Sequence, residues 1–232
     1  MKPTRTHVAA AVAVVLALLF AGVATVATAG GRGGEGEART PAADSADAGF
    51  ARDMSDHHQQ AVEMSFIVRD RTADEEVRRL AYDIANTQAN QRGMMMGWLD
   101  LWGLPKVAMD QEPMAWMGKP SHGSSHGSSH GSSHGSSHGS AGGSGSQALM
   151  PGMATRAELD RLRVASGKDA EVLYLQLMID HHKGGVHMAR GCVEKCATPV
   201  ERQLAQGMVD AQESEVRLMT DMLAKRGAKP RG

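Results

Sequence analysis

The sequence predicts an all-α protein: a four-helix bundle built from two copies of one helical hairpin. An apolar helix precedes the bundle and a disordered His/Gly/Ser-rich insertion interrupts it. Three observations lead there. Aromatic residues are scarce, with 3 Trp, 2 Tyr and 3 Phe in 232 residues, whereas strands of a β-sandwich favour aromatic and β-branched side chains. A long segment repeats itself without a gap. Capping signals stand where a helical apolar period begins and stops, and no segment alternates as a strand would.

The first element is an address or an anchor. Lys2 and Arg5 precede an unbroken apolar run from Val8 to Val26, and Ala27-Thr28-Ala29 has the small-x-small form of a cleavage site. The run is long enough to cross a bilayer. Residues 1–29 are therefore a signal peptide or a retained N-terminal membrane anchor, and both place the remainder outside the cytoplasm. Residues 30–46 are small, polar and Gly-rich, a flexible spacer.

The folded domain is expected over residues 47–228, with hairpins at about 47–104 and 149–228 and a low-complexity insertion at 105–148. The repeat defines it. Phe50, Met54, Asp56, His57, His58, Val62 and Met64 read against Tyr174, Met178, Asp180, His181, His182, Val186 and Met188 at a constant offset of 124. The same offset sets Leu80 on Leu204, Gln88 on Gln212, Met95 on Met219 and Leu99 on Leu223.

Each copy reads as two helices. Phe50, Met54, Ala61 and Met64 keep a helical period in the first, which breaks at Arg71-Thr72. Thr72-x-x-Glu75 is a capping box for the second helix, which Gly103 and Pro105 stop. In the second copy Thr155-x-x-Glu158 caps a short helix that breaks at Ser166-Gly167, and Asp169 to about Gly191 forms the third main helix. Thr198-Pro199-x-Glu201 supplies an N-cap, a first-turn proline and a capping-box acid for the fourth.

The insertion carries His122, His126, His130, His134 and His138, one every four residues among Gly and Ser. It reads as a low-affinity metal-collecting loop, or as a linker left by replication slippage. Met109, Met114, Met117, Met150 and Met153 flank it in polar, irregular sequence, where core packing explains them poorly.

Composition excludes some partners. Lys+Arg 25 against Asp+Glu 26 gives no basic footprint for nucleic acid. The informative excess is 16 Met beside 11 His. On the first helix of each copy, Met54 and Met178 lie four residues before His58 and His182. Met64 and Met188 lie seven after His57 and His181. Imidazole with thioether suits copper, since thioether selects Cu(I) and imidazole accepts both Cu(I) and Cu(II). Zinc shuns thioether, and calcium requires more oxygen. On the second helices Gln88, Gln91 and Met95 match Gln212, Glu215 and Met219, sharing one face at i, i+3 and i+7. The polar groups would orient imidazoles and the methionines would ligate. The competing reading makes all four histidines core residues, hydrogen-bonded to Gln88, Gln91, Gln212 and Glu215 in a structural or interaction domain without metal. A dinuclear redox enzyme is weaker, because no Glu-x-x-His occurs. Cys192 and Cys196 sit where the third helix should end. In an exported chain a disulfide is the first expectation, with a thiol Cu(I) site as its rival.

Met54-x-Asp-His57-His58-x-x-x-Val62-x-Met64, its copy from Met178 to Met188, Gln212-x-x-Glu215 and Met150-Pro-Gly-Met153-Ala-Thr together resemble the domain-of-unknown-function 305 family. The resemblance covers about residues 47–104 and 149–227. It implies a ferritin-like helical bundle and, from periplasmic members, copper binding and resistance at His57, His58, Met54, Met64, His181, His182, Met178 and Met188. Gln91 stands where the family usually has Glu, and His187 where an acid is usual. The expected protein is an exported copper binder, not an enzyme. Its partners are the metal ion, the membrane if the N-terminal helix is uncleaved, and a homo-oligomer or copper-transfer partner.

Overall fold

A computed structural model describes residues 40–109, 111–118 and 150–231. The N-terminal apolar run and the histidines of the insertion lie outside the described residues. The described residues form five α-helices: α1 (Ala46–Arg69), α2 (Glu75–Leu101), α3 (Arg156–Val164), α4 (Gly167–Lys195) and α5 (Pro199–Lys225). A 3-10 turn spans Ala115–Met117. Among the described residues there is no strand, and no helix is long and apolar enough to cross a membrane.

The ends of these helices follow local chemistry, though not always the predicted residue. Ser45 opens α1 by accepting from the Ala48 N–H. Thr155 and Glu158 form both halves of the capping box on α3. The cap of α2 is Asp74, not Thr72: its carboxylate accepts from Val77 N–H at 2.9 Å. Thr72 is occupied elsewhere, donating to Glu171 at 2.6 Å and accepting from Asp74 N–H. Nor do Thr198 and Glu201 cap α5 with their side chains. Asp47, from the start of α1, instead accepts from Ala197 and Thr198 N–H at 3.0 and 2.7 Å. A distant carboxylate thus takes the Thr198 N–H that Glu201 was expected to take, and ties the two hairpins together.

The helices form a bundle in which α1 packs on α2, α4 packs on α5, and α1 meets α4 across the middle. The core is divided in two. One apolar cluster contains Met64 and Val68 of α1, Leu80 and Ile84 of α2, Met178 of α4 and Met219 of α5. The other contains Phe50 and Met54, Met95 and Leu99, Met188, and Met208 from the same four helices. Along α1 the second cluster precedes His57 and the first follows it. Along α4 the order is reversed, so these helices run antiparallel. Between the clusters lies a buried polar layer of His57, His58, Gln88, His181, His182 and Gln212.

The flanking methionines correct one expectation. Met150 is buried in the core, and Met114 and Met153 pack against it. Met117 sets its sulfur on Gly191. Apolar packing explains these four, and only Met109, 94% exposed, stands free of it.

Candidate metal centre

The polar layer is assembled by helical register. His57 and His58 on α1, like His181 and His182 on α4, are adjacent residues whose side chains diverge by about 100°. One member of each pair turns toward the other hairpin and one toward its own. His57 and His181 meet across the α1–α4 contact with ring centroids 3.8 Å apart. His58 instead hydrogen-bonds Gln91 on α2 at 2.8 Å, and His182 hydrogen-bonds Glu215 on α5 at 2.7 Å. The two contacts are related by the same offset of 124, and the residues they join are 33 apart in each hairpin.

All four imidazoles are completely buried. Each uses Nε2 against an oxygen. His57 meets the Pro151 carbonyl at 3.1 Å and His181 meets the His57 carbonyl at 3.0 Å. The other two face the Gln91 amide oxygen and the Glu215 carboxylate. An oxygen acceptor fixes a hydrogen on Nε2, so a ring that is neutral presents a lone pair at Nδ1. All four Nδ1 atoms are buried without a hydrogen-bond partner. So are the Oε1 atoms of Gln88 and Gln212. Leaving such a group unpaired costs about 1–3 kcal/mol.

Three of the rings resist protonation. Burial pushes the His57 imidazole down to about 4 and the His58 imidazole to about 3. Burial lowers His181 well below the usual value, and the neighbouring histidines add to it. Uncharged imidazole is the form that binds metal. An Nε2–H anchored on a carbonyl, amide or carboxylate is the usual outer support of a metal-bound histidine.

A loop absent from the sequence-based site completes this support. Met150–Ala154 lies directly on α4, where a side-chain carbon on Gly184 would collide with the Pro151 carbonyl. Gly152 has φ +77° and backs onto the Asp180 carbonyl with equally little room. Gln60 grips the loop from α1, accepting from Ala154 N–H at 2.7 Å and donating to Ala154 O at 2.9 Å. Gly184 and Gln60 occupy matching positions of the repeat and handle one loop in different ways. Their signal was the break in an otherwise even repeat.

Of the expected residues, His57, His58, His181, His182, Gln88 and Gln212 are brought into one layer. Gln91 and Glu215 sit at its edge. Gln88 and Gln212 make no hydrogen bond to a histidine. Met54, Met95 and Met188 lie in the apolar cluster on one side, and Met64, Met178 and Met219 in that on the other. All six are fully buried. The histidines do not bring three ring nitrogens together. Among the described residues the one group of three His, Cys, Asp or Glu ligand atoms within 4.8 Å of one another is Cys192, Cys196 and Glu201. In that group the two cysteines are joined as a disulfide, with Cα atoms 4.8 Å apart.

The Domain of unknown function (DUF305) family matches residues 47–223, from the start of α1 almost to the end of α5. The chain belongs to this family. A solved member, "putative secreted protein DUF305 from Streptomyces coelicolor", is 62% identical. The similarity covers 82% of this chain and 99% of that one, with a TM-score of 0.68. A DUF305 fragment from Deinococcus radiodurans is 27% identical over 78% of this chain and 96% of its own, with a TM-score of 0.57. CopM in its Cu(I)-bound form is 19% identical, covers 77% of this chain and 96% of its own, and gives a TM-score of 0.54. At that identity CopM shares the DUF305 helical fold, and the likeness extends no further than the fold. No curated protein matches.

Proposed function

We propose that this DUF305 protein is an exported copper-binding protein that sequesters or passes on copper outside the cytoplasm. The metal is its cargo, and no reaction is assigned to the protein. One observation carries the reading: four buried imidazoles, each anchored through Nε2 on an oxygen, each hold an Nδ1 atom that nothing in the protein uses. A structural role for these rings explains the Nε2 bonds and leaves the Nδ1 atoms as an uncompensated cost.

The donor set favours copper over zinc. A structural zinc site gathers four N, S or O ligands, whereas the histidine nitrogens here do not collect even in threes. Cu(I) accepts fewer ligands and takes thioether sulfur. His57, His58, His181 and His182 would supply nitrogen. Met54, Met64, Met178 and Met188 would supply sulfur, with Met95 and Met219 in reserve. Gln91 and Glu215 would orient the rings, and His122 to His138 would collect metal weakly. That CopM is known in Cu(I)-bound and Cu(II)-bound forms supports this reading. Export is supported by the N-terminal apolar run and by the description of the Streptomyces relative.

Cu(I) titration against a competing chelator tests the proposal, using the chain without residues 121–146. Binding should be strong there and collapse when His57, His58, His181 and His182 are replaced by Ala. Equal binding by the parent and a folded alanine variant would rule out the histidine layer as the site. Alanine variants that lose stability equally with and without copper would favour a purely structural role.

A further inference from the structure

The polar layer leaves one cluster of reactive groups unexplained, at the other end of α4. Cys192 lies in the last turn of α4 and Cys196 caps it, 0% and 3% exposed. Glu201, in the first turn of α5, is 0% exposed. One ligand atom from each residue lies within 4.8 Å of the others. Neither Glu201 oxygen accepts a hydrogen bond from an N–H or O–H donor. Its neighbour is the Asp47 carboxylate, already occupied by Ala197 and Thr198 N–H. Two carboxylates can bond only by sharing a proton, and burial with this neighbour pushes Glu201 up to about 9.

Stability alone does not account for the arrangement. A disulfide between residues four apart closes a short loop and removes less entropy from the unfolded chain than a longer-range bridge would. A buried carboxyl with no N–H partner is a cost to folding. Two sulfurs and one carboxylate oxygen, however, make a recognised donor set for zinc.

We propose that the Cys192–Cys196 disulfide is the closed form of a redox-gated site for a thiophilic divalent cation, held after reduction by both thiolates and the Glu201 carboxylate. This site is separate from the histidine layer and does not depend on it. A dithiol reductant opens it. Two electrons pass from the dithiol to the Cys192–Cys196 bond, which breaks, and the reductant leaves as its own disulfide. The two reductant protons end on the cysteine sulfurs. Metal binding then displaces the thiol protons and the Glu201 proton to solvent. Three negative ligands beside Asp47 favour a divalent over a monovalent ion, because more of the buried charge is offset. Lys195 and Ala197 on either side of Cys196 are exposed, so loosening this turn leads directly to water.

Zn(II) uptake by the full chain tests the proposal, comparing oxidised protein with protein reduced by a dithiol and freed of it anaerobically. Circular dichroism would verify that both are folded. The reduced chain should bind one more Zn(II) than the oxidised chain, with sulfur neighbours in X-ray absorption at the zinc edge. The additional ion should vanish in a C192S/C196S variant. E201Q, which keeps the shape of the side chain, should bind it at least about tenfold more weakly. Equal uptake before and after reduction, or an additional ion without sulfur neighbours, would overturn the proposal. Unchanged affinity in E201Q would remove Glu201 from the site. None of these outcomes depends on copper binding at His57, His58, His181 and His182.

Discussion

His57 and His181 lie ring against ring where the two hairpins meet, centroids 3.8 Å apart and planes inclined by 33°. His181 Nε2 also donates to the backbone carbonyl of His57. One helix thus positions the imidazole of the other, and neither hairpin alone holds both rings in place.

Acid should unfold the apo protein through these rings. Below pH 6.5 the unfolded chain protonates His57 and His58, while the folded chain keeps them neutral to about 4 and about 3. His181 resists protonation in the same direction. The unfolded state then binds more protons, so stability must fall as pH falls through this window. Urea midpoints of a Glu201→Gln variant, which lacks the opposing titration of that carboxyl, should decline from pH 7 to pH 4. Cu(I) should raise the midpoint at pH 5, because it binds the folded state. A midpoint independent of pH would contradict neutral buried rings at His57, His58 and His181.

Glu201 should produce the opposite slope, between pH 4.5 and about 9. It remains protonated to about 9 when folded, whereas the unfolded side chain ionises above 4.5. The folded state holds the extra proton, so this group's contribution to stability is lost as pH rises from 4.5 to 9. Glu201→Gln should flatten that slope in the oxidised protein. The variant should match the parent near pH 4.5 and exceed it at pH 8. Thermal melts across that range would show whether it does.

The two hairpins should bind copper unequally. Glu215 accepts from His182 as a carboxylate, whereas Gln91 accepts from His58 as a neutral amide. A charged acceptor makes the imidazole a better ligand, and losing such a partner costs about 10- to 100-fold in metal affinity. Glu215→Ala should lose about that much in a chelator-competition titration. Gln91→Glu should instead tighten binding, bringing the first hairpin to the pattern of the second. No change in either variant would count against Nδ1 ligation.

The loop on α4 should be intolerant of a single added carbon. Gly184→Ala places Cβ against the Pro151 carbonyl, which must withdraw from His57. The expected cost is about 1–3 kcal/mol, with weaker copper binding. Gly152→Ala should cost more, since φ +77° adds backbone strain to a similar clash. Gly207→Ala on α5 is the control. Nothing lies within 4 Å of its added carbon, so it should stabilise by up to about 1 kcal/mol. Chemical denaturation of the three variants would rank them.

Much of the layer was legible in the one-dimensional repeat. A constant offset between His57 and His181 survives because both hairpins must fill equivalent positions, and helical period alone assigns those residues to inward faces. The same period carried Met54, Met64, Met178 and Met188 into the core on both sides of the histidines. It failed for Met114, Met150 and Met153, whose irregular surroundings in the chain concealed the fact that they fold back onto the bundle. It also placed the α2 cap at Thr72 instead of Asp74 and, though right that Thr198 precedes Pro199 at the start of α5, expected a capping-box bond from Glu201 that does not form. Thr72-x-x-Glu75 and Thr198-x-x-Glu201 have the spacing of a capping box, but spacing cannot show that Glu171 and Asp47 arrive from elsewhere to claim the Thr72 side chain and the task of Glu201.

By itself the sequence determined an all-helical chain, two hairpins of one pattern, and a family in which adjacent histidines recur with methionine. These are local and periodic properties, set by which residues can share a helix face. Tertiary structure decided which ring nitrogen is free. That choice depends on oxygen atoms from Pro151, the His57 backbone, Gln91 and Glu215, whose distances along the chain from their histidines range from 33 to 124 residues. Only folding brings each oxygen to an Nε2–H, and only then does the opposite nitrogen become a lone pair awaiting a ligand.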